Sequence, residues 1–199
     1  MSSMFIDTVP EESATGALAE FYTQQRGAWG FLPDFALAFS TRPDVARAWS
    51  LLNKTVRDGM DRRRYEIATI GAARALRSTY CTAAHSKFLR DECDDEATMI
   101  AIATDPSGAG LGEQDRAVYA FAAKVARDAS SVQQGDVDGL RARGLTDADV
   151  ADIVFAAAAR SFVTRVLDGL GAQLDAQTAG TFAPEVLESM VVGRPVGEA

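Results

Sequence analysis

The sequence predicts an all-α protein, and three observations carry that reading. Apolar residues recur at i, i+3 and i+4 along almost the whole chain. No run of six residues alternates apolar and polar positions with β-branched enrichment, as a half-buried strand would. Helix-starting residues such as Asp61, Ser78 and Thr146 stand just ahead of the periodic runs, and glycines such as Gly144 and Gly171 stand just behind them.

Taken in order, Glu11 to Gln25 reads as a first helix, with Ala17, Leu18, Phe21 and Tyr22 on one face and Pro10 in its first turn. A loop and a short helix opening at Pro33 follow. Ser40 or Thr41 can cap the next helix, with Pro43 at its first position. Val45, Trp49, Leu52 and Val56 form its apolar stripe. Asp61 starts a helix to Arg77 that carries Ile67, Ile70 and Leu76, and Ser78 caps the one after it. A helix over "DDEATMIAIAT" ends in the loop "DPSGAGLG". That loop has no preceding strand and no following Lys, so it reads as a connection and not a phosphate loop. Gln114 to Asp128 presents Val118, Phe121, Ala122 and Val125 on one side. "GDVDGLRARG" is a short helical turn, and Thr146 caps a long helix from Asp147 to Leu170. The buried stripe of that helix is Val150, Ile153, Val154, Ala157 and Phe162, and its Ala-rich face through Phe155 and Phe162 is expected to contact another copy of the chain. "FAPEVLESM" is a last helix before a frayed tail.

At 199 residues the chain has the length of one domain. The reading divides it into an N-terminal helical arm (1–40), a helical core (41–182) and a C-terminal tail (183–199). Twenty basic against 28 acidic residues leave a net charge of −8, which argues against nucleic-acid and anionic-membrane partners. The one basic run is Arg62 to Arg64. Two cysteines, Cys81 and Cys93, cannot build a disulfide framework, and the first residues lack the pattern of a signal peptide. A reduced, cytoplasmic setting is therefore expected. One histidine and two distant cysteines leave a zinc site short of ligands, and no flavin, haem or nicotinamide fingerprint is present; neither metal nor cofactor is expected.

Reactive residue types concentrate between Tyr65 and Leu89. If Ser78 caps a helix, Cys81 is its third residue, at the positive end of the macrodipole, which favours a thiolate. His85 follows one turn later, about 6 Å along the axis, on the same face. Glu66 lies on the preceding helix and approaches that face if the chain turns back near Ser78. A nucleophile, a base and a carboxylate to orient it are thus available. A lone cysteine is also commonly a small buried hydrophobe, and a lone histidine a satisfied structural residue. Trp29 and Trp49, with Phe31 and Phe35, read first as core packing and second as the lining of a pocket near the site.

The string Glu66-x11-Ser78-x2-Cys81-x3-His85 resembles the motif E-x11-C-x2-C-x3-H of the AhpD-like superfamily. That superfamily holds the alkylhydroperoxidase D proteins and the carboxymuconolactone decarboxylases. The chain is similar above all to its bacterial peroxidase-related branch. The similarity extends into "FIDTVPEE", "WGFLPDFALAFSTRPDVARAW" and "GLTDADVADIVFAAAARSFVTRVLDGLG". The resemblance implies an AhpD-like multi-helix fold, a homo-oligomer (dimer, trimer or hexamer) and a peroxide substrate. It also implies Cys81 as the peroxide-reacting thiol, with Glu66 and His85 as the proton relay. Tyr80 stands where relatives carry His or Tyr, and Ser78 where the two-cysteine peroxidases carry their other cysteine; both are expected near the site. A serine cannot resolve a sulfenic acid, and Cys93 lies about 18 Å along one helix from Cys81. An external thiol would have to restore Cys81.

Three functions follow from this reading. The first is a one-cysteine thiol peroxidase. The second is a non-redox acid–base enzyme of the decarboxylase type that uses Glu66 and His85. The third is a non-catalytic scaffold that retains remnants of a site.

Overall fold

In the computed structural model, residues 4–105 and 107–197 are described. Parts of the arm and tail readings (residues 1–3 and 198–199), and one residue of the "DPSGAGLG" loop (106), lie outside them. The described residues form eleven α-helices: α1 (Gly16–Trp29), α2 (Asp34–Ala38), α3 (Pro43–Asp58), α4 (Arg62–Ala75), α5 (Thr79–Cys93), α6 (Glu96–Thr104), α7 (Glu113–Asp128), α8 (Gln134–Arg141), α9 (Asp147–Leu170), α10 (Ala176–Ala179) and α11 (Pro184–Met190). Short 3-10 turns precede α1 and follow α7. The only β pairing among the described residues is one isolated bridge between Leu174 and Val196. The fold is all-α.

Helix α4 is the axis of the structure. Nine consecutive residues, Tyr65 to Ala73, are buried, so the helix is enclosed by α5, α7 and α9. Small residues permit that enclosure. A Cβ on Gly71 would meet the Tyr119 carbonyl oxygen of α7 at 2.5 Å, closer than real atoms approach. Against this seam lies an apolar core of Ile67, Ile70, Val118, Phe121, Leu140 and Ile153. A second apolar cluster brings the arm residues Leu18, Phe21 and Tyr22 together with Phe39, Tyr80, Cys81, Val163 and Leu167. The Tyr22 hydroxyl ties the arm to itself by donating to the Val9 carbonyl at 2.8 Å.

The cap residues act as the sequence suggests. The Asp61 carboxylate accepts from the Arg64 amide at 2.8 Å, the Ser78 hydroxyl from the Cys81 amide, and Thr146 forms a reciprocal capping box with Asp149. Four details depart from the sequence reading. The first helix begins at Gly16, because Glu11–Ser13 forms a separate 3-10 turn capped by Pro10. Arg42, and neither Ser40 nor Thr41, occupies the N-cap of α3. Phe162, read as a member of the buried stripe of α9, is 43% exposed, and Leu52 on the apolar stripe of α3 is 50% exposed. Leu51 on α3 and Phe155 on α9 are exposed as well, and the Phe162 ring packs 5.7 Å from Trp49. The tail does not fray over its described residues, 183–197. The Gly193 amide donates to the Thr79 hydroxyl at 3.0 Å and the Gly197 amide to the Leu174 carbonyl at 2.9 Å.

The arginine run forms no basic patch. Arg62 pairs with Glu66 and Glu92, Arg63 with Asp95 and Asp115, and Arg64 with Asp149. Among the described residues, no helix is long and apolar enough to cross a membrane.

Candidate active site

The Ser78 cap sets Cys81 as the third residue of α5, and one turn later the same helix presents His85. The Glu66 carboxylate reaches across from α4: His85 Nδ1 lies 2.5 Å from Oε2, and Arg62 Nε donates to Oε1 at 2.6 Å. Glu66 is 0% exposed and His85 6%. Burial works against the Glu66 anion, but His85 and Arg62 prevail and hold its carboxyl below the usual range. Burial pushes the His85 imidazole down to about 4, helped by the nearby Arg160 charge and opposed by Glu66. At neutral pH an ionised Glu66 therefore faces a neutral imidazole. Because the carboxylate only accepts, the imidazole proton sits on Nδ1 and leaves the Nε2 lone pair available.

Helix α9 supplies two further groups. Arg160 Nη1 approaches Cys81 Sγ at 3.8 Å, and the Thr164 hydroxyl donates to it at 3.3 Å. The same guanidinium donates through Nη2 to Tyr65 (3.3 Å) and Asn53 (3.4 Å) and lies over the Trp49 ring. With His85 neutral, Arg160 is the positive charge beside the sulfur. The sequence reading passes over both residues. A single guanidinium inside a buried helix was the available signal, since arginine is almost never fully buried without a partner.

Cys81 and His85 open on a cavity of about 340 Å³. Trp29, Phe35, Trp49 and Phe88 line it, so the aromatics read first as core packing form a wall of the site. Phe31 is not on that wall; its ring stands against Trp29 at 6.3 Å. Tyr80 also faces the cavity, but its hydroxyl donates to the half-buried Asp175 carboxylate at 2.6 Å, away from the Glu66–His85 pair. Ser78 does not line the cavity. It is buried as the cap of α5, with its hydroxyl toward Asp168.

Cys93 ends α5. The helix is unbroken from Cys81 to Cys93, both thiols are free, and burial pushes the Cys93 thiol up. Among the described residues, no three His, Cys, Asp or Glu side chains gather as metal ligands would.

The motif helices can be compared with known proteins. Residues 43–105, which span α3 to α6 and include Glu66, Cys81 and His85, match the carboxymuconolactone decarboxylase family. The match covers 63 of the 199 residues. Solved structures extend the likeness to the whole fold. An uncharacterized peroxidase-related protein from Ralstonia eutropha JMP134, described as an alkylhydroperoxidase AhpD core, is 23% identical. It aligns over 94% of this chain and 97% of its own, with a TM-score of 0.75. The debrominase Bmp8, solved as a cysteine-to-alanine variant with 2,3,4-tribromopyrrole, is 18% identical over 94% and 99%, also at 0.75. A peroxidase-related protein from Silicibacter sp. TM1040 is 19% identical over 87% and 90%, at 0.72. Comparison with curated proteins gives no match. The fold is AhpD-like, and members with this fold include a debrominase, so the scaffold alone does not select a reaction.

Proposed function

We propose that the protein is a one-cysteine thiol peroxidase centred on Cys81. The observation that carries this reading is the double donation from Arg160 and Thr164 to Sγ, at the start of a helix and at the wall of a cavity shared with His85. A guanidinium and a hydroxyl aimed at a sulfur stabilise the thiolate, which is the nucleophilic form. The thiolate attacks the terminal peroxide oxygen and the O–O bond breaks. Sulfur is oxidised to sulfenic acid while the peroxide is reduced to an alcohol. His85 Nε2 takes up the thiol proton and returns it to the leaving alkoxide, while Glu66 holds the imidazole and offsets its transient charge. No second cysteine stands within reach, so an external thiol condenses with the sulfenic acid, releases water and forms a mixed disulfide. A second thiol then frees Cys81.

A non-redox acid–base function is the second reading, favoured by the family match and by the buried Glu66–His85 pair. The scaffold reading is the weakest, because Glu66 meets His85 beside an open cavity and does not turn away. A reduced, cytoplasmic setting suits a resting thiol. Self-association through the exposed Leu51, Leu52, Phe155 and Phe162 face suits a surface too apolar to leave in water. A steady-state assay of peroxide consumption with dithiothreitol separates the readings. Peroxidase function requires turnover that Cys81→Ser abolishes; activity that survives this change and depends on Glu66 would favour acid–base chemistry instead.

A further inference from the structure

The charged groups on the cavity wall are all basic. Among the described residues, Lys54, Arg57 and Arg160 line the cavity, and no Asp or Glu does, in a chain whose net charge is −8. Lys54 and Arg57, at the mouth, share the single carboxylate of Asp58, which leaves one positive charge in excess there. Arg160 lies deeper and is 5% exposed. Its hydrogen-bond acceptors are the Cys81 sulfur, the Asn53 amide oxygen and the Tyr65 hydroxyl, and its Nε–H is buried with no acceptor at all. Burying a guanidinium without a carboxylate is costly, and an unpaired buried N–H adds to that cost. The Cys81 thiolate, 3.8 Å from Nη1, offsets part of the first cost, and an anionic group in the cavity would offset more of it.

Size and surface point to the rest of the ligand. A cavity of about 340 Å³ is far larger than hydrogen peroxide requires, since a water molecule's share of liquid volume is about 30 Å³. Four of its walls are the rings of Trp29, Phe35, Trp49 and Phe88. Trp29 packs directly on Phe88 and on Phe35, at 5.4 Å and 5.9 Å between centroids, so these three rings form one continuous aromatic wall. Aromatic faces of this kind accept a flat, conjugated body.

We infer that the cavity is a binding site for a small planar organic acid, with its carboxylate on Arg160 and its conjugated body against the aromatic wall. This deepens the peroxidase reading, because it makes the substrate an organic hydroperoxide that carries such an acid group. The binding itself needs no reaction at Cys81.

The test is calorimetric titration of the reduced wild-type protein, without oxidant, using trans-cinnamate and its neutral isostere cinnamamide. Cinnamate is expected to bind about tenfold or more tightly than the amide, the discrimination that a charge-assisted hydrogen bond supplies. Arg160→Gln should erase that difference. Should Arg160→Gln fail to fold, the exposed pair Lys54→Ala/Arg57→Ala provides a second variant, expected to weaken cinnamate several-fold and leave the amide unchanged. Equal affinity for acid and amide, or no binding of either, overturns the inference. Cinnamate binding by a protein whose Cys81 ignores peroxide would overturn the peroxidase reading and leave the acid site standing.

Discussion

Helices α4 and α5 meet two different surroundings within a few residues of each other. Ile70 and Gly71 of α4 face α7 across a dry seam, where a missing Cβ lets Tyr119 approach. One helical turn earlier, Glu66 is equally buried, but it is held by Arg62 and His85. The apolar side is solved by volume, since any gap or surplus atom there costs packing energy. The polar side is solved by pairing, since an unpartnered carboxylate at the same depth would be expelled or protonated. Stability and chemistry therefore rest on separate residues of the same helices, and substitutions on the two sides should have opposite signatures.

The largest effect belongs to the polar side. Glu66→Gln should lower kcat/KM for peroxide by about 10²- to 10³-fold, in the range of a lost general acid–base partner, while the fold persists in circular dichroism. A rate within a factor of about two of wild type would end the relay argument. Ile70→Ala should do the reverse. It should cost about 3 kcal/mol of unfolding free energy by denaturant titration and leave the rate per folded molecule unchanged.

Acidification should act on the polar side alone. His85 titrates near 4 in the folded protein, below its ordinary 6.5, so the unfolded chain binds the extra proton between those values. Stability present above pH 6.5 is then lost as pH falls toward 4, by up to about 3 kcal/mol. The Glu66 contribution, also from a depressed group, is lost at still lower pH. His85→Gln should flatten the upper part of that slope, while Ile70→Ala should shift the whole curve without changing its shape. The smallest effect is expected on the exposed α3–α9 face. Leu52→Ser should change stability by no more than about 0.5 kcal/mol while weakening self-association in sedimentation velocity.

Much of this was readable from the sequence, because it rests on local chemistry. Helix α9 begins and ends where Thr146 and Gly171 indicate, since a capping box and a left-handed glycine (φ 92°) are written in adjacent residues. The Cys81–His85 spacing likewise needs only the Ser78 cap. What escaped is long-range. Arg160 and Thr164 reach Cys81 from 79 and 83 residues away, and helical periodicity does not say which helix covers which. The same blindness put Phe162 in the buried stripe of α9 as well as on its contact surface, and its 43% exposure fits only the second. An apolar stripe identifies a face that avoids water but not the neighbour that meets it. The ordered tail depends on Gly193, where a Cβ would collide with the Arg77 carbonyl oxygen, a contact no local pattern announces.

The central claim is that Cys81, and not Cys93, is the reacting thiol. Intact-mass analysis after a stoichiometric pulse of peroxide, with dimedone present to trap sulfenic acid, tests it directly. Wild type should gain one dimedone adduct that peptide mapping places on Cys81. Cys81→Ala should gain none, and Cys93→Ala should react like wild type. An adduct on Cys93, or none on either cysteine at peroxide levels that oxidise free thiols, would contradict the account.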